Sequence, residues 1–590
     1  MKVKHLNIII PTVAVLLIIL RTSFGFMLGN WFPSDQACDD ALLVQYASLK
    51  THFLSPTPNS LLKYMGYPLL LDFCYFSKIP YSIVMSIMWV CCAILTYFVI
   101  KKIPIDNLNH NLKLNIARFF FVYVLFFPTA FELWMGTRLY RGAAIAPFSM
   151  LTFLLAILII EIFLQHKNLI ERDDKLKTFR ILLALCLLLG VLLTFTYYLK
   201  EDGIWILACV GFIFLSVIVF IVWNIIKHKR LKLIKFSVMF FIPFVVFFGL
   251  TAVYKSINYH YFGVYETQTR TEGEIGNYIS NVYKIKSENR TAEIWAPIDA
   301  IEKSFNASPT LSSHPELLDS IKHSSWVNGD IYSNPIKGEF LSWILRTSLP
   351  DTGLWTSEQN VSDFFKSVNT ELENAFNNGI LEKDTRIQLM SKVGGRTVDE
   401  IIQLNKLVSF TFRGALFLEG YLPGASNGNA VVPGIANRAS KLTNEPDLLT
   451  CDRDELYLNG INNVINIIFV VYRIVNVALI FVLIIAVCLA IRNIYKIVRK
   501  KQNFNHCNFA LFALIILFLG YSLAYALGIS WFSTFIPGID EQPNIILNFY
   551  AVALPVLLTF SFIWASVYVA VSNNLNLSNN KISKRKVHNS

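Results

Sequence analysis

The chain has 590 residues, 54% apolar and only 16% charged, with 47 Phe and a formal net charge of +12; its mean hydropathy is +0.49. Ordinary globular domains carry about 25% charged residues, so this composition excludes a disordered chain, a collagen-like repeat, a disulfide scaffold and a conventional soluble enzyme. It implies a polytopic membrane protein, because only a bilayer surrounds so many long apolar segments.

A span needs about 20 mostly apolar residues, and ten stretches meet that length: 6–29, 79–100, 114–134, 141–164, 179–199, 204–226, 236–254, 463–490, 508–529 and 545–571. The first follows Lys2 and Lys4 and runs apolar from Ile8 to Leu20, then continues RTSFGFMLGNWF without a small-x-small cleavage site. It reads as an uncleaved signal-anchor helix. The first loop, 30–78, contains SDQACDDALLVQYASL. The loop between spans two and three has Lys101, Lys102 and Lys113, and that between four and five has Lys167, Arg172, Lys175 and Lys177. The sixth loop reads KHKRLKLIK, the loop after span eight carries Arg492, Lys496, Arg499, Lys500 and Lys501, and the tail ends with Lys581, Lys584, Arg585 and Lys586. All of these fall on one face if there are ten spans and both termini are cytoplasmic, as the positive-inside rule requires.

The expected organisation is therefore an α-helical polytopic membrane protein. Residues 1–254 form a membrane domain of seven spans, 255–460 a mainly helical extracytoplasmic domain, 461–571 three further spans and 572–590 a basic cytoplasmic tail. The inserted region holds 19 Lys and Arg against 26 Asp and Glu, a net charge of −7. The basic balance thus belongs to the cytoplasmic face, where it favours anionic membrane lipids and argues against nucleic acid. Within the inserted region Ser362 and Asp363 open a helix with apolar positions at 3–4 residue spacing, and Asn377-Asn378-Gly379 stops it. Thr397 and Glu400 have capping-box spacing. The stretch Leu404–Leu422 is too charged for a span and reads as a helix at the membrane surface or against the spans.

No P-loop, GxSxG, HExxH or Rossmann glycine motif occurs, and no Cys or His spacing points to a metal or other cofactor. The role of a divalent metal is left open. Cys38 and Cys451 are both outside and available to pair. The sequons at Asn289, Asn306 and Asn360 matter only in a secretory-pathway host.

The residues that could carry chemistry are ionisable groups at the outer membrane boundary. Asp39 and Asp40 follow the first span closely. They suit a helix N-terminus, and equally a general base held at the bilayer surface with its neighbour orienting a substrate. Arg138 and Arg141 sit in GTRLYRGAAIAP at the mouth of the fourth span. Lys200, with Glu201 and Asp202, caps the turn between spans five and six, and Arg21 and Arg473 lie within spans one and eight. Ionisable groups at membrane depth are costly and point to function, and Arg binds phosphate oxygens bidentately. The competing reading is snorkelling or pairing within the protein, such as Lys200 with Asp202.

Four segments, CDDALLVQYA, MGYPLLLDFCYF, FTYYLKEDGIWIL and NFYAVALPVL, give the chain a layout that resembles the GT-C superfamily of polytopic glycosyltransferases. The resemblance covers about the first 250 residues and the last 60. The last segment is similar to a late-span RY-x-x-P pattern, but Asn548 stands near where the Arg would be, so one donor-phosphate contact is not carried over. The large domain after span seven also departs from the commoner C-terminal placement. The resemblance is to bacterial enzymes of cell-surface polysaccharide decoration in the plasma membrane. It implies a polyprenyl-phosphate-linked sugar as donor, a surface glycan as acceptor, inversion at the anomeric carbon, Asp39 as base and Asp40 as its orienting partner. Arg138, Arg141, Lys200, Arg473 and Arg21 would serve the lipid phosphate. His52 is an alternative base. The competing expectations are an O-antigen-type polysaccharide polymerase, and a non-enzymatic envelope transporter or scaffold.

Overall fold

The computed structural model describes residues 2–32, 39–47, 49–103, 109–166, 175–228, 238–324, 335–427, 433–445, 453–500 and 506–588. It is 76% helical, with no β-strand among the described residues. Cys38 and Cys451, and hence their pairing, lie outside these residues.

The amino-terminal part runs through α1 (Lys2–Leu28), α2 (Asp39–Tyr46), α3 (Leu49–Leu54), α4 (Gly66–Ser77), α5 (Tyr81–Lys102), α6 (His110–Leu125), α7 (Arg141–His166), α8 (Lys175–Tyr197), α9 (Ile204–His228) and α10 (Ile242–Phe262). The inserted domain follows as α11 (Gly273–Lys284), α12 (Ile298–Ala307), α13 (Pro309–Ser312), α14 (Pro315–His323), α15 (Leu341–Asp351), α16 (Glu358–Asn377), α17 (Val398–Gln403), α18 (Asn405–Phe417) and α19 (Pro433–Thr443). The chain ends with α20 (Glu455–Lys500), α21 (His506–Ser533), α22 (Pro543–Tyr550) and α23 (Leu554–His588).

Among the described residues nine helices are long and apolar enough to cross a membrane. The sixth expected span, 204–226, is the one not among them; it coincides with α9, whose described apolar stretch is Ile204–Leu215. Two spans run further than their hydropathy suggests: the seventh reaches Phe262 and the eighth covers Glu455–Lys496. The described part of the inserted region is correspondingly shorter, because α10 stops only at Gly263, whose φ of 78° breaks the helix.

Burial sorts the spans. Arg141–Leu164 and Leu554–Ser572 are 94% and 89% buried, whereas Ile9–Leu28 is 11% buried. A helix that is apolar all round finds its place inside a bundle, so α7 and α23 are central and α1 is peripheral. One apolar core unites the spans from Leu28 to Val571. A second core belongs to the inserted domain, from Ile275 to Leu381, and takes in Phe535 and Ile536 from the turn after α21. Gly338 makes this plug fit: a Cβ there would lie 2.3 Å from the Phe535 ring, and its φ is +50°. The two cores are thus joined through one turn of the membrane bundle.

The helix expected from Ser362 starts earlier. Ser357 caps α16 by accepting from the Asn360 N–H at 3.1 Å; a capping hydroxyl outcompetes the later Ser-Asp pair for the orphan amides. Its end at Asn377 and the left-handed Gly379 are as the sequence indicates. The Thr397–Glu400 capping box forms in both directions. The apolar stretch 404–422 gives α18, which packs on α20, α21, α22 and α23. It lies against the spans.

Candidate functional site: an ion-pair network at one end of the bundle

The site is assembled from inter-span connections. Trp31, just beyond α1, pairs its backbone with the segment before α7: its N–H donates to Thr137 O at 3.1 Å and its carbonyl accepts from Leu139 N at 2.9 Å. Glu132 shapes that segment by accepting from the amides of Trp134 and Met135, both at 2.7 Å, which starts the π-helical turn Leu133–Thr137. Arg138 leaves this turn and Arg141 begins α7. Gly66 supplies the third join. Its N–H donates to Tyr198 O at 3.1 Å, and a Cβ at this position would lie 2.3 Å from that oxygen. Only glycine lets the loop bearing Lys63 approach the α8–α9 turn bearing Glu201.

Asp39 and Asp40 are the first two residues of α2, so the helix-terminal reading holds. Their environments differ. Asp40 is 1% exposed and takes a bidentate contact from Arg138, with Nε 3.0 Å from Oδ1 and Nη2 on Oδ2. The Arg138 guanidinium also lies over the Trp134, Tyr140 and Phe549 rings. Asp39 keeps 26% of its side chain open. Three donors converge on its Oδ2: Lys63 Nζ at 2.7 Å, the Tyr140 hydroxyl at 3.1 Å and Arg141 Nη2 at 3.2 Å. No hydrogen bond reaches its Oδ1 among the described residues. Arg141 Nη1 also donates to Glu201 Oε2, and its Nε to the Tyr140 hydroxyl at 2.9 Å. Lys63 reaches Glu201 Oε1 at 3.8 Å.

The inserted domain closes one side. The Lys63 ammonium lies 5.0 Å from the Trp343 ring centroid, and the Arg270 guanidinium is also 5.0 Å from it. Arg270 in turn donates to Glu339 at 2.9 Å and to Ser342 at 3.3 Å.

Burial by itself would raise the Asp39 carboxyl, but Lys63 and Arg141 outweigh it and hold the group well below the usual carboxylate range. Glu201 behaves the same way: Arg141 and Lys63 overcome burial and bring it down to about 2. Burial draws Lys63 below its ordinary value against the pull of Asp39 and Glu201. Burial also pushes the Tyr140 phenol up. In this network Asp39 and Glu201 are anionic, and Tyr140 keeps its proton.

Of the residues read from the sequence, Asp39, Asp40, Arg138 and Arg141 come together here. Lys200 pairs with Asp202 at 2.9 Å. Arg21 donates to Leu125 O and Ser86 Oγ, each at 3.0 Å, and binds α1 to α5 and α6. Arg473 Nη2 donates to Leu418 O at 3.3 Å, at the end of α18. His52 is buried among Tyr46, Phe53 and Phe262, and burial brings it down to about 4. Asn548 donates to Glu419 O at 2.8 Å and holds α22 to the end of α18. Lys63, Tyr140, Arg270 and Trp343 are participants that sequence reasoning missed. Lys63 left one signal, as the single cation in the apolar run from Leu61 to Leu71. No group of three or more His, Cys, Asp or Glu suited to a metal occurs among the described residues. Comparison with known protein families, with curated proteins and with solved structures finds no match.

Proposed function

We propose that the chain is a membrane glycosyltransferase of GT-C type, with Asp39 as general base and a polyprenyl-phosphate sugar as donor. In this reading ten spans place both termini in the cytoplasm and the network on the outer face, where a surface glycan is the acceptor. The observation that carries the reading is the asymmetry of Asp39. One carboxylate oxygen is locked by Lys63, Tyr140 and Arg141, while no hydrogen bond reaches the other among the described residues and 26% of the side chain is exposed. A carboxylate held at one oxygen is oriented to accept a proton at the other.

The acceptor hydroxyl approaches Oδ1. Its oxygen forms a bond to the anomeric carbon as the bond from that carbon to the phosphate oxygen breaks, and its proton passes to Asp39. The departing lipid phosphate is already a stable anion and requires no acid, so one carboxylate suffices and the anomeric centre inverts. Arg141 and Lys63 are the cations nearest the base and would take the donor phosphate. Arg138 keeps Asp40 and the α2 terminus in place. Arg21, Lys200 and Arg473 bind other partners and have no part in this scheme.

The test is transfer from a polyprenyl-phosphate sugar by the full chain in vesicles. Asp39→Asn keeps the shape and removes the base, and general base catalysis is worth about 10²–10⁴-fold. A loss of that size with normal membrane levels is expected. Near-normal transfer would overturn the reading.

A further inference from the structure

Between residues 266 and 445, the large apolar side chains exposed among the described residues fall in one stretch, 380–402. Elsewhere, residues 275–381 bury their apolar side chains in the domain's own core and residues 407–442 pack theirs against the core of the spans. In the stretch Ile387, Leu389 and Met390 are 50%, 48% and 50% exposed, and Val398 and Ile402 are 61% and 60% exposed. Val398 and Ile402 are four apart on α17 and share one face.

The stretch is fastened to the membrane bundle at its middle and at its carboxyl-terminal end. Trp531 Nε1 donates to Gly394 O at 2.9 Å, and Arg396 Nη2 donates to Trp531 O at 2.8 Å and Thr534 Oγ1 at 2.6 Å. Trp531 stands at the domain-side end of the span Phe509–Ser533. Ile387 and Arg396 exchange two backbone hydrogen bonds of 2.8 Å, so Ile387 is one pairing distance from that anchor. On the other side α17 leads directly into α18, which packs among the spans. The exposed apolar side chains therefore sit at the level where span ends meet the inserted domain.

We propose that residues 387–402 form a membrane-dipping element whose occupant is the phospholipid leaflet on the side of the inserted domain. Large apolar side chains exposed together in one stretch mark an interaction site, and apolar residues of an element lying at the boundary bury by insertion at the headgroup–acyl junction. The continuity with α18 and the anchor on Trp531 select the leaflet as that partner. Inserted there, the stretch holds the domain down on the bundle. The proposal is independent of the enzymatic reading and of which leaflet faces outward.

The experiment places a photoreactive benzophenone amino acid at position 389, and separately at position 313 on the same domain. The full chain is reconstituted in vesicles of phosphatidylcholine with phosphatidylglycerol. After illumination, mass spectrometry should find phospholipid adducts on the peptide bearing position 389, at least tenfold more than at 313. With the label moved to 390, the pair Leu389→Asp and Val398→Asp should cut the adduct at least fivefold. A cross-link between two copies of the chain, equal yields at 313 and 389, or no lipid adduct in folded protein would each overturn the proposal.

Discussion

The Lys63 ammonium sits 2.7 Å from Asp39 Oδ2, 24 residues away in the chain, and is only 2% exposed. A buried ammonium is stable only when paired, so this contact is the fixed point of the network. Lys63→Met should raise the proton affinity of Asp39 by removing the nearest of the three cations, Lys63, Arg141 and Arg270, that lower it. The acid limb of the pH–rate profile then moves to higher pH, and Lys63→Arg restores it in part. A mutant with lowered rate and an unmoved profile would leave Lys63 a purely structural role.

Arg138 and Asp40 should separate from Asp39 by phenotype. Breaking a buried ion pair costs about 3–5 kcal/mol, because the abandoned charge stays buried. Arg138→Ala and Asp40→Ala are expected to lower the thermal midpoint of the detergent-solubilised chain by several degrees. Asp39→Asn, which retains an acceptor for Lys63 at a partly open position, should shift it less while losing more transfer activity.

Gly66→Ala places a methyl group 2.3 Å from the Tyr198 carbonyl oxygen. Two backbones must move apart, and overpacking of this kind costs about 1–3 kcal/mol. The Lys63 loop and the Glu201 turn separate with them. Lower thermal stability together with reduced transfer is expected; a stable, fully active variant would show that this junction does not set the site.

The acid response follows from Glu201, whose carboxyl falls from 4.5 to about 2 on folding. Between those values the unfolded chain binds more protons, so stability declines as pH falls. The contribution is complete above about 4.5 and is lost as pH approaches about 2. Glu201→Gln should be less stable at neutral pH and show a flatter decline across that window, measured by thermal melts in detergent.

Topology is tested by reporter fusions at positions 110, 230, 330 and 500. The ten-span arrangement requires in, in, out and in. A cytoplasmic result at 330 would put the network on the wrong side for a lipid-phosphate donor and an external glycan.

The sequence alone determined that the chain is a helical membrane protein, roughly where nine of its long apolar helices run, and which connections carry charge. These are local properties: twenty apolar residues specify a span wherever its neighbours go. The capping box at Thr397 and the stop at Gly379 were legible for the same reason. Tertiary structure decided which charges meet. Arg138, Arg141, Arg21, Lys200 and Arg473 look alike as isolated cations near the membrane, and only the packing of α1, α7 and the α8–α9 turn gives two of them to the acid pair and the others to different partners. The packing also brought in Lys63, through a glycine whose missing side chain admits the Tyr198 carbonyl, and Trp343 from a domain inserted far along the chain. An ion pair depends on separation in space, and no periodicity along the chain encodes that distance.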